Sequence, residues 1–278
     1  MILEVVDIIV DYKKFNIKEQ GDTPKLYCYS PDKRVGESGK RPSVVICPGG
    51  SYVFTSDREA EPIALYFLTK GFNCFVLRYS VAPMIFPGAL AELSEAVSYI
   101  RKNSDKYLAD ENKIITCGFS AGGHLVASHG VHWNKPFIKD VLNYNDEENK
   151  PNGMILCYPV ITSGKNAHSD SIKFLLGEEN QFDEYLRELV SLEKQVSKQT
   201  PPTFLWHTVD DDVVPVENSM EFASELRKNK IKFEMHIFPH GAHGLSLANK
   251  ITGECDEIYV APECECWIDM ASRFICSL

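Results

Sequence analysis

Apolar positions along the 278-residue chain fall into two rhythms. Short apolar runs at 43–47, 72–79, 113–117, 154–158 and 203–207 read as strands, the first of them buried, and an alternating run at 231–238 reads as a final strand. Between them, apolar residues recur at three- or four-residue intervals. Ile63, Leu65, Tyr66 and Leu68 mark one helix, ending at Gly71, and Leu90, Leu93, Val97 and Ile100 mark a second. Further helices are predicted from Ala121 onward, over 216–228 and over 267–275. Strands alternating with helices predict an α/β chain with a mostly parallel central sheet flanked by helices. Two strand-like runs within the first thirty residues suit an antiparallel entry to that sheet. The segment 162–200 is polar and charge-rich, with short helical patches, and reads as a lid-like insertion in a single domain covering 1–278.

Composition agrees with a globular domain: 44% of residues are hydrophobic, enough for a large core. The net charge of −10 is spread along the chain, which argues against a nucleic-acid partner. The residues given carry no basic n-region ahead of an apolar run, and no stretch approaches the roughly 18 apolar residues of a membrane span. No leader and no membrane partner are therefore expected. Nine cysteines, an odd number and several inside apolar runs (Cys47, Cys74, Cys117, Cys157), fit a reduced, cytoplasmic protein better than a disulfide framework. Cys264 and Cys266 lack the spacing of a metal or redox pair.

Candidate chemistry begins at Gly118-Phe119-Ser120-Ala121-Gly122. The pentapeptide alone occurs by chance. Here a strand pattern precedes it and a helix pattern follows, the context in which a serine is held out on a tight turn as a nucleophile. The flanking glycines remove side chains that would collide across the turn. A serine hydrolase also needs backbone N–H donors for the oxyanion of its tetrahedral intermediate. Ala121 supplies one candidate. Gly50 and Ser51, in the turn Pro48-Gly49-Gly50-Ser51-Tyr52 after an earlier strand, supply the others.

A base and an acid should follow on later loops, in the order serine, acid, histidine. Of eight histidines, His124, His129 and His132 lie too early, His207 closes a strand and His236 lies within one. His240 and His243 remain, and the small neighbours of His243 favour it as the base. Asp210-Asp211-Asp212 offers the acid, and burying all three carboxylates would be costly, so one is expected to turn inward. The spacing His207-x-x-x-Asp211-x-x-Val214-Pro215 matches a pattern common around this acid and favours Asp211, with Asp210 as its rival. His236, His240 and His243 share no helical face, so no metal is expected there.

Together the runs 44–52, 76–83, 118–124, 211–215 and 238–245 resemble α/β-hydrolase esterases. Within these the chain is similar to the small bacterial acetyl-esterase and acetylxylan-esterase-like proteins described as sugar hydrolases. The likeness extends from about residue 40 to the end. It implies an α/β-hydrolase fold and hydrolysis of carboxylic esters, often acetyl groups on carbohydrates, with a small-molecule ester as partner and no cofactor. Pro48 and Ser51 depart from the His-Gly-Gly-Gly loop of many such esterases. The resemblance sets Tyr52, Arg58 and Glu59 near the active site, where an Arg58–Glu59 ion-pair network and substrate contact both stay open. Amide hydrolysis, as in arylformamidases or peptidase-like enzymes of this fold, is the alternative chemistry. A non-catalytic binding protein would predict a degraded triad. Homo-oligomerisation is left open.

Overall fold

A computed structural model describes residues 1–33, 39–253 and 256–278. Its strands are β1 (Ile2–Asp7), β2 (Lys25–Ser30), β3 (Arg41–Cys47), β4 (Asn73–Arg78), β5 (Ala109–Phe119), β6 (Gly153–Cys157), β7 (Thr203–Thr208) and β8 (Phe233–Phe238). They form one sheet in the order β1-β2-β4-β3-β5-β6-β7-β8. β1 pairs antiparallel with β2, and β2 with β4. Every later pairing is parallel. This is the α/β-hydrolase arrangement that the sequence predicted. β5 runs beyond the apolar core of 113–117 because Ala109 pairs with Arg41 across a register shift. The polar residues Asp110, Glu111 and Asn112 hide that extension from any hydrophobic pattern.

Two-sided burial explains the unbroken apolar strands. Along β3, Val45 and Cys47 pack into one core, with the helices Gly88–Lys102, Ala121–His132 and Glu217–Lys228. Val44 and Ile46 pack into the other, with the helices Glu61–Thr69 and Trp267–Cys276. Among the described residues no helix is long and apolar enough to cross a membrane. Eight described cysteines are free thiols, Cys266 and Cys276 exposed and the other six buried.

The chain between β6 and β7 carries the helices Ser169–Leu176 and Glu184–Leu189. Leu175 and Leu176 are buried, so the apolar patch there packs on the body of the protein. Phe174 and Leu176 also line, with Pro83 and Ile85, a groove of 340 Å³. The second half of the segment is held by its main chain. His124 donates from Nε2 to the Val190 carbonyl at 3.0 Å, and His132 to the Leu189 carbonyl at 3.1 Å. Trp133 Nε1 donates to the Gln199 carbonyl, and Ser163 Oγ to that of Arg187.

A buried carboxylate ties the chain's beginning to the site-bearing loops. Glu92 is fully buried in the helix Gly88–Lys102 and accepts the Tyr12 hydroxyl and the Ser80 amide, each at 2.7 Å. Just beyond Ser80, the Ala82 amide donates to the Tyr52 carbonyl at 2.7 Å, bracing the loop after β3.

Two expectations follow from these buried polar groups. Tyr12→Phe strips one donor from a buried carboxyl and should destabilise the fold by about 1–3 kcal/mol in urea denaturation. Burial pushes His124 and His132 down to about 4 and His129 to about 3, from an ordinary 6.5. These depressed histidines are neutral when folded, and the unfolded chain takes up their protons first. Their stabilisation is complete above pH 6.5 and is lost as pH falls towards 4. Denaturation midpoints should therefore drop across that window, and a flat profile would contradict this assignment.

Candidate active site

Ser120 sits at the junction of β5 and the helix Ala121–His132, with φ 53° and ψ −118°. The left-handed backbone is forced by close approach. A Cβ on Gly118 would lie 2.2 Å from the Gly122 carbonyl oxygen, and one on Gly122 would lie 2.1 Å from that of Cys47. Three backbone bonds hold the turn. The Ser120 amide donates to the Cys157 carbonyl at 3.0 Å, while the Ser120 carbonyl accepts the His124 and Val160 amides at 3.1 Å.

From this turn Ser120 Oγ reaches His243 Nε2 at 2.8 Å, and His243 Nδ1 reaches Asp211 Oδ2 at 2.7 Å. An acceptor-only carboxylate at Nδ1 places the ring proton there, which leaves Nε2 to accept from the serine hydroxyl. The serine follows β5, the aspartate β7 and the histidine β8, so all three meet at the carboxyl edge of the sheet, where ligands of open α/β sheets bind.

Asp211 is separated from Asp210 by what each touches. The Asp211 side chain is 0% exposed, and its Oδ1 accepts the amides of Val213 and Val214 at 3.0 and 2.8 Å. His207, also fully buried, lies 3.2 Å from Oδ2 and donates from Nε2 to the Val214 carbonyl at 2.9 Å. Ser219 Oγ at 2.8 Å fixes the other side of that ring. Burial pushes the Asp211 carboxyl up, but the bonds from His207, His243 and the Val214 amide outweigh it. They hold the group well below the usual carboxylate range. Asp210 instead bonds His240 at 2.7 Å with both side chains in solvent, 55% and 73% exposed. That hydrogen bond raises the His240 imidazole.

The loop after β3 is wound by three successive residues at positive φ: Gly50 at 131°, Ser51 at 54° and Tyr52 at 61°. A Cβ on Gly50 would lie 2.2 Å from the Phe54 carbonyl oxygen, so only glycine fits there. Gly49 packs so tightly on the turn that its own Cβ would lie 2.9 Å from Ser120 Cβ. Among the described residues the amides of Gly50, Ser51 and Ala121 donate to no protein group. Tyr52 turns inward, its hydroxyl donating to His124 Nδ1 at 2.9 Å.

Arg58 and Glu59 are neighbours in sequence but form no ion pair with each other among the described residues. Arg58 donates to the carbonyls of Thr252 and Gly244, at 2.5 and 3.0 Å, and lies over the Tyr259 ring. Glu59 is buried behind Gly49 and accepts its amide and the Tyr158 hydroxyl. Nothing in the residue pattern singles out Tyr158, at the end of a strand run, and the His207-x-x-x-Asp211 spacing that favours Asp211 gives no role to His207 itself. Among the described residues no group of three or more His, Cys, Asp or Glu side chains could hold a metal ion. His236 bonds Glu234 instead.

A left-handed serine between strand and helix, bonded through a histidine to a buried aspartate at the edge of this sheet, defines the chain as an α/β-hydrolase. The chain belongs to the BD-FAE family, whose model matches residues 28–226. It is 43% identical over 234 residues to Endo-1,4-beta-xylanase B of Butyrivibrio fibrisolvens, covering 82% of this chain and 36% of that protein. It is 29% identical over 241 residues to an acetylxylan esterase of Xylanibacter ruminicola, covering 84% and 46%. The chain thus spans about a third to a half of the length of these curated relatives. Among solved structures it is similar to an acetyl ester-xyloside bifunctional hydrolase from Caldicellulosiruptor lactoaceticus. That match has a TM-score of 0.82 at 34% identity and covers 99% of this chain and 96% of the other.

Proposed function

We propose that this chain is a serine hydrolase of carboxylic esters, with short acyl esters of carbohydrates, acetyl above all, as its substrates. The observation that carries this reading is the unbroken hydrogen-bonded series from Asp211 through His243 to Ser120. His243 takes the Ser120 proton as Oγ attacks the ester carbonyl, and Asp211 stabilises the imidazolium and holds its tautomer. The amides of Ala121, Gly50 and Ser51 receive the oxyanion. His243 then returns its proton to the departing alcohol. A water deprotonated by the same histidine releases the acid from the acyl-enzyme. No cofactor enters these steps. The acetyl-carbohydrate assignment draws on the relatives named acetylxylan esterase and acetyl ester-xyloside hydrolase. A reduced, cytoplasmic setting is supported by the free thiols of the eight described cysteines.

Ser120→Ala should lower hydrolysis of p-nitrophenyl acetate about a thousandfold or more without unfolding the protein. Parent-level turnover in that variant would refute the nucleophile. Asp211→Asn and Asp210→Asn, measured side by side, should lose about a thousandfold and less than about threefold respectively. The reverse ranking would move the acid to Asp210. Acetylated xylo-oligosaccharides should be cleaved faster than formylkynurenine or short peptides; a preference for the amides would favour the alternative chemistry.

A further inference from the structure

The proposed reaction gives no task to one buried ionisable group beside the site. Glu59, 4% exposed, has a donor on each oxygen. Oε2 accepts the Gly49 amide at 2.8 Å and Oε1 the Tyr158 hydroxyl at 2.7 Å. Tyr158 itself accepts the Ser246 amide at 2.9 Å, so its hydroxyl hydrogen is committed to Glu59. A protonated carboxyl would need an acceptor, and this arrangement offers none without orphaning the phenol hydrogen. Burial pushes the Glu59 carboxyl up and the Tyr158 and Gly49 bonds pull it down, and with both oxygens accepting, the geometry is that of an ionised carboxylate. One end of the network is Gly49, next to Gly50 and Ser51; the other is Ser246, three residues after His243. In the middle, the Tyr158 ring packs edge-on against the His243 imidazole with centroids 5.1 Å apart.

We propose that Glu59 is a positioning residue, an ionised carboxylate that fixes the histidine loop against the Gly49–Ser51 loop through Tyr158 and whose charge favours the His243 imidazolium. This rests on the serine-hydrolase reading above. Two loops that must stay in register during proton transfer are then joined through one buried anion by three hydrogen bonds, two to Glu59 and one from the Ser246 amide to Tyr158. Asp211 faces His243 from the opposite side, backed by His207, and His168 lies within the field of both His243 and Asp211. Around Glu59 stand Arg58, Tyr79 and Cys157. Arg58 is turned to the carbonyls of Thr252 and Gly244, so it makes no direct bond to the carboxylate.

The test is Glu59→Gln and Tyr158→Phe in the full chain, with kcat, KM and the pH dependence of kcat/KM measured on p-nitrophenyl acetate. Glu59→Gln should lower kcat about tenfold or more with KM within about threefold. Removing a negative charge makes the imidazolium easier to deprotonate, so the acid limb should move about half a pH unit or more to lower pH. Tyr158→Phe breaks the tether but keeps the charge, so kcat should fall about threefold or more while the acid limb does not move down. A slow Glu59→Gln enzyme with an unmoved limb would reduce the residue to packing and overturn the proposal, as would parent kcat in both variants. Should Glu59→Gln fail to fold, Tyr158→Phe decides alone, and unchanged kcat overturns the tether. Fluorophosphonate labelling of Ser120 in each variant keeps the two readings apart. Parent protein that resists labelling, with Ser120→Ala still active, refutes the serine mechanism itself, whatever Glu59 does.

Discussion

The site depends on a helix that begins closer to a strand end than any side chain would allow. Gly122 brings the first turn of the Ala121–His132 helix against the Cys47 and Pro48 carbonyls, and Gly118 lets the chain double back beneath it. Between them Ser120 is driven into a left-handed conformation that costs of order 1–3 kcal/mol for a residue with a side chain. The bonds to Cys157, His124 and Val160 hold it there. That one steric constraint also fixes where everything else must be. The β3 loop is pressed onto the back of the serine through Gly49, and the loops after β7 and β8 converge on the hydroxyl from the other side.

Negative charge is the second organising theme. Glu59, Asp211 and Glu92 are all buried, and each is surrounded by donors instead of being neutralised by a lysine or arginine. An unpaired buried carboxylate would be prohibitively costly. Backbone amides, phenol hydroxyls and imidazoles satisfy these groups; at Asp211 they outweigh burial, whereas at Glu59 and Glu92 burial still pushes the carboxyl up. The exposed Asp210–His240 pair shows the contrast: chemically similar partners at 2.7 Å, but in solvent, where such a contact contributes little.

Much of this architecture was legible in the residues. Apolar runs marked the inner parallel strands, alternation marked the edge strand β8, and the strand–serine–helix succession around 118–122 marked the turn. What periodicity could not carry was orientation within loops. Asp210 and Asp211 are equally acidic and adjacent, and only the capping of the Val213 and Val214 amides turns one of them inward. Arg58 and Glu59 look like an ion pair in one dimension. The short 3-10 turn Asp57–Glu59 sends one to carbonyls of the segment after His243 and the other into the core. His207 reads as a strand residue because it is one, and its second task depends on a loop returning to the strand's end. Polar residues at 110–112 concealed the extension of β5, since backbone pairing at a strand's start leaves no hydrophobic trace.

The segment between β6 and β7 is fastened to the body of the protein largely through its main chain. Three of its anchors from the body of the protein, His124, His132 and Trp133, grip the peptide carbonyls of Val190, Leu189 and Gln199, while Asn166 bonds Glu221 through its side chain. A peptide carbonyl is present whatever residue occupies the position. The exposed side chains of that segment are therefore free to vary while its path over the sheet is kept. Changes to those exposed side chains leave these anchoring bonds intact, and with them the strand-end placement of Ser120, Asp211 and His243.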